Sequence, residues 1–180
     1  MRIALIGPNA CGKTTAVRRW CKKYPRLTGC LCDVRKVVAG GAEARDDFCW
    51  KSHPAECLAK YAGHDRVVFE GASSYGCRIA ARTQAEFVIV VTVPAPAMLG
   101  MLEARAALVG KRFRGDYWDL ARCGYEGSRR CVNYAGKNFA PGQWREFVVG
   151  SYADWAQIDV FFSGLYARLN NAMLRPGRPR

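Results

Sequence analysis

Residues 7–14, Gly7-Pro8-Asn9-Ala10-Cys11-Gly12-Lys13-Thr14, fill every fixed position of the pattern G-x-x-x-x-G-K-[ST]. The stretch before them, 2–6 (RIALI), is a short apolar run closed by Gly7 and predicts a buried strand. The stretch after them, Lys13–Lys23, holds no breaker and stops before Pro25, which predicts a helix. A glycine-rich turn between a strand and a helix aims backbone N–H groups and the positive helix end at one point, the geometry that cradles a phosphate. Lys13 would then reach the β- and γ-phosphates and the Thr14 hydroxyl would bind Mg²⁺. The expected binding residues for ATP are Gly7, Pro8, Asn9, Ala10, Cys11, Gly12, Lys13, Thr14 and Thr15, with ATP and Mg²⁺ as the cofactors. The alternative, an ordinary glycine-rich turn, does not account for the complete motif between strand and helix.

Strand and helix patterns alternate along the rest of the chain. Residues 27–34 predict a second strand, and helical material fills much of 36–62 with a break near Gly40 and Gly41. A third strand is expected at 66–70 (RVVFE) and a fourth at 87–93 (FVIVVTV), rich in β-branched residues, before a helix at Ala95–Val109. After Gly110 the pattern is irregular, basic and aromatic to about Pro141. Residues 143–155 are expected as helix, 158–162 as a fifth strand and 165–174 as a closing helix. Strands separated by helices imply an α/β fold with a parallel sheet covered on both faces. At 180 residues this is one domain over 1–174, ending in a flexible basic tail at 175–180.

Half the residues are hydrophobic and about a quarter are charged, a globular balance that excludes a disordered or fibrous chain. The longest apolar stretch, 87–102, holds two prolines and is too short to span a bilayer, so no membrane partner is expected. Nine cysteines, an odd number, and no signal-like segment at Met1 argue for reduced thiols in a cytoplasm. Cys30/Cys32 and Cys49/His53/Cys57 only superficially resemble zinc spacing, and no metal other than Mg²⁺ is expected. Twenty-eight Lys and Arg against 15 Asp and Glu leave a net charge of +13. It lies in two blocks: nine basic and one acidic residue over 1–36, and nine basic and three acidic over 105–145. Such a field favours polyanionic partners.

Two carboxylates narrow the chemistry. Asp33 closes the second predicted strand and is the only acid among the first 42 residues. In a parallel sheet it emerges at the same carboxyl edge as the loop, where it can take a proton from an attacking hydroxyl. Glu70 ends RVVFE before Gly71 and also reaches that edge, to hold Mg²⁺ through water or to orient substrate. The alternative for each is a solvated strand-end acid or a helix cap.

The order of strand, GPNACGKTT, helix, strand ending in Asp33, then VVFEG resembles the P-loop kinase group of nucleoside, nucleotide, polynucleotide and small-metabolite kinases. The resemblance is close over 1–15, extends to about 105, and is indistinct beyond. It implies a five-stranded parallel sheet in order 2-3-1-4-5, Asp33 as base or substrate anchor, and arginines from a closing lid. The lid would be about 98–140. Arg105 is its first candidate for catalysis, with Lys111, Arg112 and Arg114 set to contact substrate, as would Arg78 and Arg82 from one helix face. A solvated helix face remains the alternative for each. The third strand departs from motor-like and AAA-type NTPases by ending in Glu-Gly, so a nucleic-acid-binding ATPase ranks below a kinase.

Residues 105–145 interleave the nine cations with Phe113, Tyr117, Trp118, Tyr125, Tyr134, Phe139 and Trp144. Cations tracking a backbone and aromatics stacking on bases are how single-stranded or splayed nucleic acid is held, though about half of these rings are expected in the core. Size, VVFEG and basic character look most like the bacteriophage kinases that phosphorylate 5-hydroxymethyluracil in DNA. That resemblance implies a DNA acceptor, a flipped base and the cytoplasm of a host cell. A free deoxynucleoside or nucleotide kinase is the alternative. Cys11, at a helix start beside Lys13, is either a thiol of lowered pKa or a filler position.

Overall fold

The structure is a computed structural model that describes residues 1–46, 54–110 and 116–173. Its elements are β1 (Arg2–Gly7), α1 (Lys13–Lys23), β2 (Thr28–Leu31), β3 (Lys36–Ala39), β4 (Ala42–Arg45), α2 (Pro54–Tyr61), β5 (Val67–Ala72) and α3 (Ser73–Arg82), then β6 (Phe87–Thr92), α4 (Ala95–Val109), α5 (Tyr117–Asn138), β7 (Trp144–Val148) and α6 (Trp155–Met173). Short 3-10 turns lie at Cys32–Val34 and Tyr152–Asp154.

All seven strands form one mixed sheet in the order β4-β3-β2-β5-β1-β6-β7. The expected five-stranded parallel sheet is therefore corrected. β2, β5, β1, β6 and β7 are mutually parallel, but β3 and β4 add an antiparallel hairpin at one edge. The hairpin replaces the helix expected after residue 36. Gly40 and Gly41, at φ 56° and 85°, form its two-residue turn, a backbone that glycine adopts at least cost and that matches strand twist.

Side chains alternate across the sheet. Ile3 and Leu5 of β1 pack toward α1 and α6, where Trp20 stacks on Phe162 with ring centroids 3.8 Å apart. Ala4 and Ile6 face the other way, onto Ala80 of α3 and Cys131, Val132 and Ala135 of α5. α1 buries Ala16, Val17, Trp20 and Cys21, a helical stripe, and places Lys22 and Lys23 at its negative end.

The last third departs most from expectation. The stretch expected to be irregular contains α5, a 22-residue helix whose N-cap Asp116 accepts a hydrogen bond from the Trp118 N–H. Its buried face is Ala121, Ser128, Cys131, Val132 and Ala135, mostly small residues on one side of the helix. The helix expected at 143–155 is the edge strand β7, where the Arg145 guanidinium lies over the rings of Phe147 and Phe161. The strand expected at 158–162 is part of α6, with Ile158, Phe162, Leu165 and Tyr166 on its buried face. Among the described residues no helix is long and apolar enough to cross a membrane.

Candidate functional site

β1 ends at Gly7 and α1 begins at Lys13, so the connecting turn sits at the carboxyl edge of the parallel strands. Ala10 and Gly12 take left-handed backbone conformations, φ 65° and 105°. A side chain at Gly12 would be strained and would also meet the Trp155 indole nitrogen at 2.7 Å. At Gly7 a Cβ would lie 2.9 Å from the Val91 Cβ, so the strand end needs glycine to sit against β6.

Lys13 is 3% exposed. Its ammonium donates a hydrogen bond to the Pro8 carbonyl at 2.7 Å, folding over the loop, and forms an ion pair with Glu70 Oε1 at 3.5 Å. Glu70 is opposite Leu5 in the β1–β5 register, two residues short of the sheet edge, and is 0% exposed. Val68 faces α1, so the alternation turns Glu70 to the same side, beneath the helix start. The expected edge carboxylate is thus a buried partner of the loop lysine. Thr14, half-buried in the first turn of α1, is the nearest hydroxyl in sequence. A hydroxyl and a carboxylate are oxygen donors of the kind Mg²⁺ takes, few from protein and the rest from phosphate and water.

Cys11 lies fully buried below the loop, and burial raises its thiol pKa against the lowering influence of Lys13. Of the two readings of Cys11, the lowered pKa is corrected: desolvation outweighs the nearby cation.

The loop carbonyls are held from across the chain. Trp155 Nε1–H donates to the Cys11 carbonyl at 2.6 Å, and the Tyr152 hydroxyl donates to that of Ala10 at 3.0 Å. Ser151 and Asp154 form a reciprocal capping box that sets this turn. Neither aromatic was singled out from sequence. The signal was Ser-Tyr-Ala-Asp before an apolar-periodic run, a helix start obscured by the strand reading of 158–162. Burial raises the Tyr152 phenol pKa, and the Arg105 guanidinium, near enough to act on it, works against that shift. Arg105 itself is exposed on α4.

Beside the loop is a cavity of about 560 Å³ bounded by Pro8, Asn9, Ala72, Ser73, Cys77, Met98, Leu102, Leu120, Cys123, Gly124, Gly127 and Arg130. α5 comes this close because two of its residues lack side chains. A Cβ on Gly124 would lie 3.1 Å from the Pro8 Cβ, and one on Gly127 3.1 Å from the Ser73 Cβ. The cavity wall is mainly apolar, with the Ser73 hydroxyl bonded to that of Ser128 at 3.0 Å.

The structure brings together the loop, Lys13 and Glu70, with Thr14 in the first turn of α1 and Arg105 on α4 near Tyr152. The backbone of Asp33 is on the 3-10 turn just after β2, not on the strand itself, at the same sheet edge; its side chain lies outside the described residues, as does that of Arg78 on α3. Arg82 is corrected. α3 starts at the carboxyl edge and runs back, leaving Arg82 exposed near Arg2, at the opposite edge from the loop. Lys111, Arg112, Phe113 and Arg114 lie outside the described residues, as do Cys49 and His53. The expected lid segment resolves into α4 and α5, packed on each other.

No family model matches the chain. No curated protein matches it. Among solved structures it is similar to the "Sulfotransferase Domain from the Curacin Biosynthetic Pathway", with a TM-score of 0.56 and 10% identity over 98% of this chain and 75% of that one. At that identity the likeness is one of fold.

Proposed function

We propose that this chain is an ATP-dependent phosphotransferase that moves the γ-phosphoryl group to a hydroxyl on a nucleic-acid substrate, the leading acceptor being the hydroxymethyl group of 5-hydroxymethyluracil in DNA. The observation that carries the reading is the buried Lys13 ammonium, folded over a left-handed glycine loop between the Pro8 carbonyl and Glu70, beside a cavity of about 560 Å³. In this reading Lys13 turns from the Pro8 carbonyl to the phosphates, where a fixed cation is worth most as charge develops. Thr14 and Glu70 are the donors for Mg²⁺, which supplies charge neutralisation on the β- and γ-phosphates. Asp33 takes the proton of the acceptor hydroxyl, and Arg105 approaches the transferring group past Tyr152. The cavity admits one base and its substituent, flipped from a strand or free.

What supports the polymer is a stripe on α5. Trp118, Arg122, Tyr125 and Arg129 recur at helical spacing, and all four are exposed, the aromatics at 47% and 39%. Among the described aromatics of 105–145, Tyr117, Phe139 and Trp144 are partly buried and pack against the core. In this reading the exposed pair stacks bases between the two arginines.

The test uses γ-labelled ATP with DNA containing 5-hydroxymethyluracil, the same DNA with thymine, and free nucleosides and nucleotides. Label entering only the hydroxymethylated DNA is the expected result. Label at 5′ ends regardless of base, or only on free nucleotides, replaces the acceptor. Label that never leaves ATP overturns phosphoryl transfer, and sulfuryl transfer, the activity named for the similar domain, then becomes the reading to assay.

A further inference from the structure

α3 and α5 pack together along the cavity and bring two thiols into contact. Cys77 of α3, half-buried on the cavity wall, has its Sγ 2.8 Å from that of Cys131 of α5. Cys131 is buried and donates its S–H to the Ser73 carbonyl at 3.0 Å. A disulfide bond is about 2.05 Å long, so the sulfurs need close only roughly 0.8 Å to bond. The Cys30–Cys32 pair differs on both counts: its sulfurs are 3.9 Å apart and both residues are buried.

We infer that Cys77 and Cys131 are a reversible disulfide pair, with Cys77 the thiol that reacts first, and that their bond fixes α5 to α3 at the cavity wall. With both thiols protonated, Cys77 donates to Cys131 and Cys131 donates to Ser73. Once Cys77 ionises, the Cys131 S–H swings to it. That hydrogen bond lowers the Cys77 pKa, while the bond to Cys77 and then burial raise that of Cys131. The accessible member of the pair is therefore the better nucleophile and the buried member resolves it.

The oxidant is a low-molecular-weight disulfide such as oxidised glutathione. The Cys77 thiolate attacks one of its sulfurs, the S–S bond breaks, and one glutathione leaves as thiolate and takes up a proton. Cys131 then gives up its proton and attacks Cys77 Sγ, expelling the second glutathione. Two protein thiols become one disulfide, and one small disulfide becomes two thiols.

The experiment treats the full-length chain carrying Cys123→Ser, which removes an exposed competitor, with oxidised glutathione under native conditions. Intact mass and peptide mapping are expected to show the loss of two hydrogens and one cross-link, between the peptides of Cys77 and Cys131. Adding Cys131→Ser is expected to halt the reaction with one glutathione on Cys77. Adding Cys77→Ser is expected to leave Cys131 unmodified. Dithiothreitol should restore the starting mass. A cross-link between other cysteines, glutathione on Cys131 in place of Cys77, or no reaction at either thiol overturns the inference. The effect on turnover rests on the phosphotransferase reading, in which the oxidised form should transfer several-fold more slowly. The thiol map holds or fails without any activity, so the two failures are distinguishable.

Discussion

Removing the Lys13 ammonium takes a cation from beside a fully buried carboxylate as well as from the loop. Lys13→Ala is therefore expected to lose about two orders of magnitude or more in transfer. It should also lose about 3–5 kcal/mol in urea unfolding, because Glu70 keeps its burial without the pair. Lys13→Met combined with Glu70→Leu should recover most of the stability and none of the transfer, which separates the two roles. Equal activity in Lys13→Ala and the parent would remove the loop from the chemistry. Asp33→Asn is expected to keep ATP affinity and lose most of the rate, as a base acts on the chemical step. Should Glu70→Gln behave that way and Asp33→Asn be mild, the two carboxylates exchange roles. At this scale the tight turn between β1 and α1 was legible because glycines at fixed spacing between an apolar run and a breaker-free run leave little else for the backbone to do. Tyr152 and Trp155 were not, since the contacts they make span 142 and 144 positions. Nor was the burial of Cys11, which depends on packing against Gly7.

Two helical glycines give opposite expectations for one substitution. Gly76 in α3 lies so close to β1 that an added Cβ would fall 1.3 Å from Ile6 Cγ2, so Gly76→Ala is expected to destabilise the chain by about 2–3 kcal/mol. Gly100 in α4 is exposed with nothing within 4 Å, so Gly100→Ala should stabilise by about 0.5–1 kcal/mol through helix propensity and a less entropic unfolded chain. Urea melts of both variants decide it, and a stable Gly76→Ala would mean α3 is packed otherwise. The same features explain which elements were legible. β1, α1, β5, β6 and α4 carry strong apolar or breaker-free patterns, and the expected bounds of α1 and α4 coincide with those observed. α5 is obscured in the sequence because its cations and aromatics give an irregular pattern and it carries Gly124 and Gly127, which let the helix touch Pro8 and Ser73. β3 and β4 are hidden in the sequence because a glycine pair suits a helix interruption as well as a hairpin turn. β7 was missed because its alternation, Trp-Arg-Glu-Phe-Val, is that of a mixed edge strand.

Across the whole molecule, a net charge of +13 overstates the cations available to a polymer. Arg18 and Lys36 are engaged by Glu43, and Arg19 by Asp159, so part of the first basic block is neutralised within the fold. On α5, Arg122 pairs with Asp119 and Arg129 with Glu146, but these are solvent-exposed pairs of little individual worth and can yield to phosphate. If a strand runs along the stripe of Trp118, Arg122, Tyr125 and Arg129, each arginine that meets a phosphate releases a counterion, and binding weakens as salt rises. The expected measurement is the Kd of a single-stranded 5-hydroxymethyluracil oligonucleotide over a range of salt concentrations. The Arg122→Ala, Arg129→Ala double variant should lower the slope of log affinity against log salt by about 1–2, at roughly 0.7 per phosphate contact. Trp118→Ala should instead weaken binding by about 1–3 kcal/mol and leave the slope unchanged, because stacking on a base displaces no counterion. An unaltered slope in the double arginine variant would move the strand off α5. A flat slope for the parent chain would end the polymer reading and leave the cavity to a free nucleoside or nucleotide.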